Sequence, residues 1–225
     1  MLDTRNLGCS RGDRPLFGGL TLSVPEGSLL HVKGSNGVGK TTLLRTLAGL
    51  SRPQAGTVRW RGTAIGALGD EYRGCMTYVG HHDGVQGELS AAENLRAVAC
   101  LNGAEPRTIA DALAQLGLHA LGSLPAKYFS QGQRRRLALA RLLLLRRPLW
   151  ILDEPFTALD AASCRLLERL LREHLAGSGL IVLSSHQTFA FPEARSQQLD
   201  LDALRATAGD DADVAIPSPV PADAR

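Results

Sequence analysis

Gly34-Ser35-Asn36-Gly37-Val38-Gly39-Lys40-Thr41 follows a short apolar run, Leu29-Leu30-His31-Val32-Lys33, and precedes a helical pattern from Thr42 to Leu50. Strand, glycine loop and helix in this order are the context of a phosphate-binding loop of the form G-x-x-x-x-G-K-T. Its glycines let the backbone curl so that successive N–H groups converge on phosphate oxygens. The helix N-terminus adds the positive end of its dipole. Lys40 is placed to reach β- and γ-phosphates and the Thr41 hydroxyl to hold Mg²⁺. The segment from Gly34 through Thr42 is therefore the candidate cradle for ATP.

A second apolar run, Leu149-Trp150-Ile151-Leu152, delivers two carboxylates, Asp153 and Glu154. An Asp at a strand end beside a phosphate-binding loop orients Mg²⁺ and its water. A carboxylate next to it can take a proton from an attacking water. Asp153 is the candidate metal organiser and Glu154 the candidate general base.

Composition narrows the class. The 225 residues suffice for one large domain and a real core. The formal charge is only +3, and the basic residues are mostly Arg, with lysines only at 33, 40 and 127. Cys9, Cys75, Cys100 and Cys164 are scattered, which reads as buried thiols of a reducing compartment and not as a zinc site. The first residues carry an acid and no apolar core, unlike a signal peptide. No apolar run approaches the ~18 residues of a membrane span. The expectation is a soluble, cytoplasmic chain whose membrane work goes through a partner.

Along the chain, residues 1 to 32 alternate apolar runs with turn residues, as antiparallel strands do. Residues 56–62 read as an edge-like strand and 76–80 as a short one. Ser90-Ala91-Ala92-Glu93 is a capping box opening a helix, and helical spacing continues to Leu121. Ser130 to Leu145 reads as another helix. Asp160 caps a third, with Leu166, Leu167, Leu170, Leu171 and Leu175 on one face. The layout is α/β: a mixed β core, an antiparallel β subdomain and a helical subdomain at about 90–146. The cassette is expected over 1–205, and the small, acidic, Pro-rich tail over 206–225 reads as disordered.

Phe129-Ser130-Gln131-Gly132-Gln133 opens the helix upstream of the two carboxylates. Ser130 is a natural N-cap, and Gly132 permits close backbone approach. In this order and spacing the chain resembles the ATP-binding cassette (ABC) proteins, whose signature motif this pentapeptide is similar to. Glu93-Asn94-Leu95, Pro155 to Asp160, and His186 after Ser184-Ser185 resemble further family segments. The resemblance implies a head-to-tail dimer with ATP between one copy's phosphate-binding loop and the other copy's Ser130, Gln131, Gly132 and Gln133. It also implies that His186 senses the γ-phosphate.

Two departures point to a subfamily. The family's usual Gln near Mg²⁺ is replaced by His81, in Gly80-His81-His82; the alternatives are His82 or a plain surface loop. The aromatic that stacks on adenine is missing, and Arg11 stands there, either stacking through its guanidinium or as a solvated turn residue. With Gly49-Leu50-Ser51-Arg52-Pro53, these features resemble the ATP-binding subunit of the bacterial cytochrome c maturation exporter, usually described as a haem exporter. That resemblance implies a peripheral subunit on the cytoplasmic face of the inner membrane with integral membrane partners. Other readings are another small-substrate ABC transporter or an ABC ATPase acting on DNA. The segment between Thr42 and Phe129 lacks heptads, so no nucleic-acid partner is expected. Leu95, Val98 and Leu101 are either core or part of a docking face for the membrane subunits.

Overall fold

The computed structural model describes residues 1–12, 14–105, 108–185 and 195–207. Its strands are β1 (Leu2–Arg11), β2 (Arg14–Val24), β3 (Ser28–Lys33), β4 (Ala55–Trp60), β5 (Thr63–Ala64), β6 (Met76–Val79), β7 (Leu149–Asp153), β8 (Leu180–Ser184) and β9 (Arg195–Asp200). The helices are α1 (Lys40–Leu47), α2 (Ile65–Leu68), α3 (Asp70–Cys75), α4 (Ala91–Asn102), α5 (Thr108–Gln115), α6 (Gln131–Leu145), α7 (Ala161–Ala176) and α8 (Leu201–Thr207). The last of these crosses residue 205, and the tail expected to be disordered lies, from residue 208, outside the described residues.

The expected mixture of strand directions falls between two sheets and not within one. The core sheet runs β6-β7-β8-β3-β9, and every pairing in it is parallel. The second sheet, β2-β1-β4-β5, is antiparallel throughout. The segment expected at an edge, β4, lies second from it, because Thr63-Ala64 adds a short outer strand.

Sequence texture explains the division. Parallel central strands are buried on both faces and read as continuous apolar runs; β7 and β8 are buried at every position. Their alternate side chains feed two cores. Leu30, Val32, Leu149, Ile151, Leu180 and Val182 pack with α1 and the antiparallel sheet. Leu29, Trp150, Leu152, Ile181 and Leu183 pack with α6, α7 and the helical segment. In β2, Leu20, Leu22 and Val24 are buried while Thr21 and Ser23 face solvent, the alternation of a one-sided strand.

The α4 capping box forms as expected: Ser90 N donates to Glu93 Oε2 at 2.8 Å, and Ser90 Oγ accepts from Glu93 N at 3.3 Å. The Asn94 amide donates to the carbonyls of Gln86, Leu89 and Ser90, folding the preceding loop onto the helix. Of the three residues weighed as core or docking face, Leu95 is buried and Leu101 is 86% exposed.

On the far face of the core sheet, His174 of α7 stacks on Trp150, with ring centroids 3.8 Å apart and planes 9° from parallel. Gly179 must lack a side chain there, because a Cβ would meet His174 Nε2 at 2.3 Å. Burial pushes the His174 imidazole down to about 4 and lowers that of His31. An unfolded histidine titrates near ~6.5, so below that pH the unfolded chain binds protons that the folded chain refuses. The His174 contribution to stability is therefore complete above pH ~6.5 and is lost as the pH falls toward about 4. The melting temperature should drop across that interval. His174→Gln should be less stable at neutral pH but show a smaller acid-side drop, measured by thermal unfolding at a series of pH values.

Candidate active site

The phosphate-binding loop turns between β3 and α1 with Gly34 at φ +140° and Gly39 at φ +120°. A Cβ on Gly34 would lie 2.8 Å from Val38 Cγ1, so this turn requires glycine. Lys40 is 9% exposed, and its Nζ donates to Gly34 O at 2.8 Å and Ser35 O at 3.4 Å. The ammonium is thereby folded over its own loop.

Asp153 ends β7 and is 1% exposed. Its Oδ2 accepts from Thr41 Oγ1 at 2.8 Å and its Oδ1 from Ser184 Oγ at 2.7 Å. Three elements, β7, α1 and β8, thus fix one carboxylate. Ser184 Oγ also accepts from Glu154 N at 3.0 Å. Glu154 has φ +48°, a left-handed conformation rare outside glycine and costly unless its surroundings hold it. That turn leads out of the strand directly beside Asp153.

The residue that holds it is Arg135. The run Arg134-Arg135-Arg136 looks in sequence like a solvated face of α6, yet Arg135 is 3% exposed. Its guanidinium donates to the carbonyls of Gly80, Asp153 and Glu154 at 2.8 Å each and of Pro155 at 3.3 Å. It also pairs with Asp83 Oδ1 at 3.0 Å. A planar fork with five N–H donors suits this convergence. Arg135 thereby joins the helix of Ser130 to the end of β7 and to the loop carrying His81. Arg141, six residues on, donates to Gly84 O farther along that loop. Gly80 faces the Tyr78 ring, with a virtual Cβ at 3.0 Å from Tyr78 Cε1, so glycine fits best before His81. Burial first and Asp153 second push the Tyr78 hydroxyl up to about 12.

A cleft of about 400 Å³ collects most of the expected residues: Arg11, Asn36, Gly37, Gly39, Lys40, Thr41, Thr42, His81, Asp153 and Glu154 line it. Three positions of the loop are not in its lining. Val38 is buried in the core, Gly34 forms the turn, and Ser35 turns away toward α8. His81 borders both this cleft and an adjoining one of about 310 Å³, whereas His82 borders only the latter, with Gln131 and Arg135. Ser130 caps α6 through a second capping box, accepting from Gln133 N at 3.2 Å while Ser130 N donates to Gln133 Oε1 at 2.8 Å. Gly132 lies against the Ala158 carbonyl, which a Cβ would meet at 2.8 Å. These four residues lie outside the cleft of Lys40 and Glu154. His186 lies outside the described residues; the preceding Ser185 carbonyl lies 3.0 Å from His31 Nε2. A hydroxyl and a carboxylate, Thr41 and Asp153, are hard oxygen donors that suit Mg²⁺.

The profile of the ABC transporter family matches residues 17–157. The cytochrome c biogenesis ATP-binding export protein CcmA of Nitrosomonas europaea is 51% identical over 189 residues, 83% of this chain and 89% of that protein. The protein of the same name from Haemophilus influenzae is 44% identical over 207 residues, covering 91% and 97%. Among solved structures, an ABC transporter ATP-binding protein from Pyrococcus furiosus superposes with a TM-score of 0.77 at 27% identity, covering 90% of this chain and 98% of that one. A dimeric cassette with ADP and Pi bound gives 0.79 at 21% identity, covering 89% and 95%. No helix among the described residues is long and apolar enough to cross a membrane. A phosphate-binding loop whose Thr41 meets Asp153, on a fold shared with solved ABC cassettes and a sequence shared with these relatives over most of its length, places the chain in the ABC transporter family, among the cytochrome c biogenesis ATP-binding export proteins.

Proposed function

We propose that this chain is the ATP-hydrolysing subunit of a membrane exporter serving cytochrome c biogenesis, with haem as the cargo implied by its subfamily. The observation that carries the reading is the Thr41–Asp153–Ser184–Glu154 chain of hydrogen bonds beside Lys40. In one cleft with Lys40 and Glu154, it supports a reading in which a cation meets the phosphates, two oxygen donors meet Mg²⁺ and a carboxylate meets the attacking water. The loop N–H groups from Asn36 to Thr42 and Lys40 hold the phosphates, and Arg11, which lines the same cleft, offers its guanidinium plane to the adenine. Thr41, Asp153 and His81 would hold Mg²⁺, which when bound neutralises phosphate charge. Glu154 takes the proton of the attacking water. His186 senses the γ-phosphate.

Ser130 to Gln133 lie outside this cleft, which fits a head-to-tail dimer in which they close the partner's site. The N-terminus of α6 is suited to anionic phosphate. The membrane subunits dock beside α4, where Leu101 is the most exposed large apolar side chain among the described residues. The protein then works peripherally on the cytoplasmic face of the inner membrane. The purified chain alone should hydrolyse ATP slowly, and detergent-solubilised membrane partners should raise its rate severalfold. A fully active monomer at low concentration, indifferent to those partners, contradicts both the dimer and the coupling.

The role of His81 has its own test. Because His81 borders the cleft of Thr41 and Asp153 and His82 does not, His81→Ala should raise the Mg²⁺ concentration for half-maximal ATPase severalfold. His82→Ala should leave it unchanged, and His81→Gln, which keeps a polar ligand, should stay close to wild type. The reverse pattern would assign the position to His82.

A further inference from the structure

Ser35 was expected to face the nucleotide, yet both its hydrogen-bond donors are taken by a residue far along the chain. Ser35 N donates to Asp202 Oδ2 at 2.7 Å, and Ser35 Oγ donates to Asp202 Oδ1 at 2.7 Å. One carboxylate of α8 therefore grips the first turn of the phosphate-binding loop with both oxygens.

The grip is rigidly mounted. β9 pairs in parallel with β3, bringing Asp200 opposite Lys33, at the mouth of the loop. Asp200 Oδ1 accepts from the N–H groups of Asp202 and Ala203 at 2.9 and 3.3 Å, starting α8 at once. Leu201 and Leu204 are buried in the core shared with α1, which fixes the helix from below. Gly34 is wedged against the same element: its virtual Cβ lies 3.5 Å from both Leu201 Cβ and Asp202 Oδ2.

The chemistry follows from the direction of each group. Residues 34 and 35 offer their carbonyls to Lys40, while the Ser35 N–H points away and would otherwise lack a fixed partner. A carboxylate accepting from both an N–H and a hydroxyl makes charge-assisted bonds, stronger than neutral ones. They fix the Ser35 peptide plane, hence the direction of the carbonyls that Lys40 uses and of the N–H groups that follow. We propose that Asp202 is a positioning residue for nucleotide binding: it holds the phosphate-binding loop in its binding geometry without touching the phosphates. The segment after His186 thus contributes to the nucleotide site as well as to the sheet. This inference rests on the phosphate-binding role of the loop given above.

The test is equilibrium binding of a fluorescent ATP analogue to the purified full-length chain, with steady-state ATPase kinetics and thermal unfolding alongside. Preorganisation acts on affinity, so Asp202→Ala should raise Kd and KM about fivefold, with kcat within about twofold and an unfolding midpoint close to wild type. Asp202→Asn should recover most of the affinity, because its carbonyl accepts from Ser35 N and its amide donates to Ser35 Oγ. Ser35→Ala, which keeps the backbone bond, should raise Kd about twofold. Wild-type affinity in Asp202→Ala overturns the proposal, as does Asp202→Asn binding no better than Asp202→Ala. If Asp202→Ala does not fold, Ser35→Ala decides: weakened binding supports the proposal and wild-type affinity overturns it. Lys40→Ala measured in parallel separates the two readings. If it too leaves binding intact, the loop's phosphate role fails; if it alone weakens binding, only the role of Asp202 fails.

Discussion

Glu154→Gln should bind ATP as wild type does and lose hydrolysis by about a hundredfold or more. General-base catalysis contributes roughly 10²–10⁴-fold, and the amide keeps the size of the side chain while removing its basicity. The structure argues that geometry survives the change. The Glu154 backbone is held independently of its side chain, its N–H by Ser184 Oγ and its carbonyl by Arg135. The left-handed φ of +48° is therefore enforced from outside. A variant that binds but does not turn over should accumulate the nucleotide-sandwich dimer, seen as a doubling of mass with ATP and its absence with ADP. Wild-type turnover by purified Glu154→Gln would remove Glu154 from the role of base.

Lys40→Ala should cost at least tenfold in nucleotide affinity, and the same in kcat/KM. Lys40 is largely buried and its ammonium is held at the cleft by Gly34 O and Ser35 O, so its charge is fixed where the phosphates would bind. Hydrogen bonds to charged groups are worth ~1.5–3 kcal/mol, and each ~1.4 kcal/mol is tenfold in binding. The fold should persist, because the bonds lost are Lys40's own to Gly34 O and Ser35 O and the loop glycines keep their turns. Titration with a fluorescent nucleotide checks the affinity; an unchanged Kd and unchanged kinetics would contradict the loop's assignment.

Much of this site was legible because its signals are local. Glycine spacing, a lysine and a hydroxyl at a helix start, two capping boxes and an apolar strand ending in Asp153-Glu154 each lie within a few consecutive residues. His81 leaves the strand end at Tyr78-Val79 and lines the cleft, while its role there stays with the proposed function. What local pattern does not carry is contact across the chain. Arg135 reads as one of three arginines on a solvated helix, and only the fold turns it inward to Gly80 and Asp153. Ser184 is a strand-end serine until β7 and β8 pair and set it against Asp153. Asp202 lies 167 residues from Ser35 in sequence and beside it in space. The pairing of the strands was likewise obscure, because apolar runs such as residues 149–152 and 180–183 mark strands buried on both faces without naming their neighbours.

In the proposed function, ATP hydrolysis at Lys40, Thr41, Asp153 and Glu154 drives export for cytochrome c biogenesis. Its most direct test is the haem-stained c-type cytochrome content of bacteria whose own copy of this subunit has been deleted. The wild-type chain should restore it, and Glu154→Gln, present at the same level in the membrane fraction, should not. Full cytochrome content with Glu154→Gln, or none with the wild-type chain, would contradict the account.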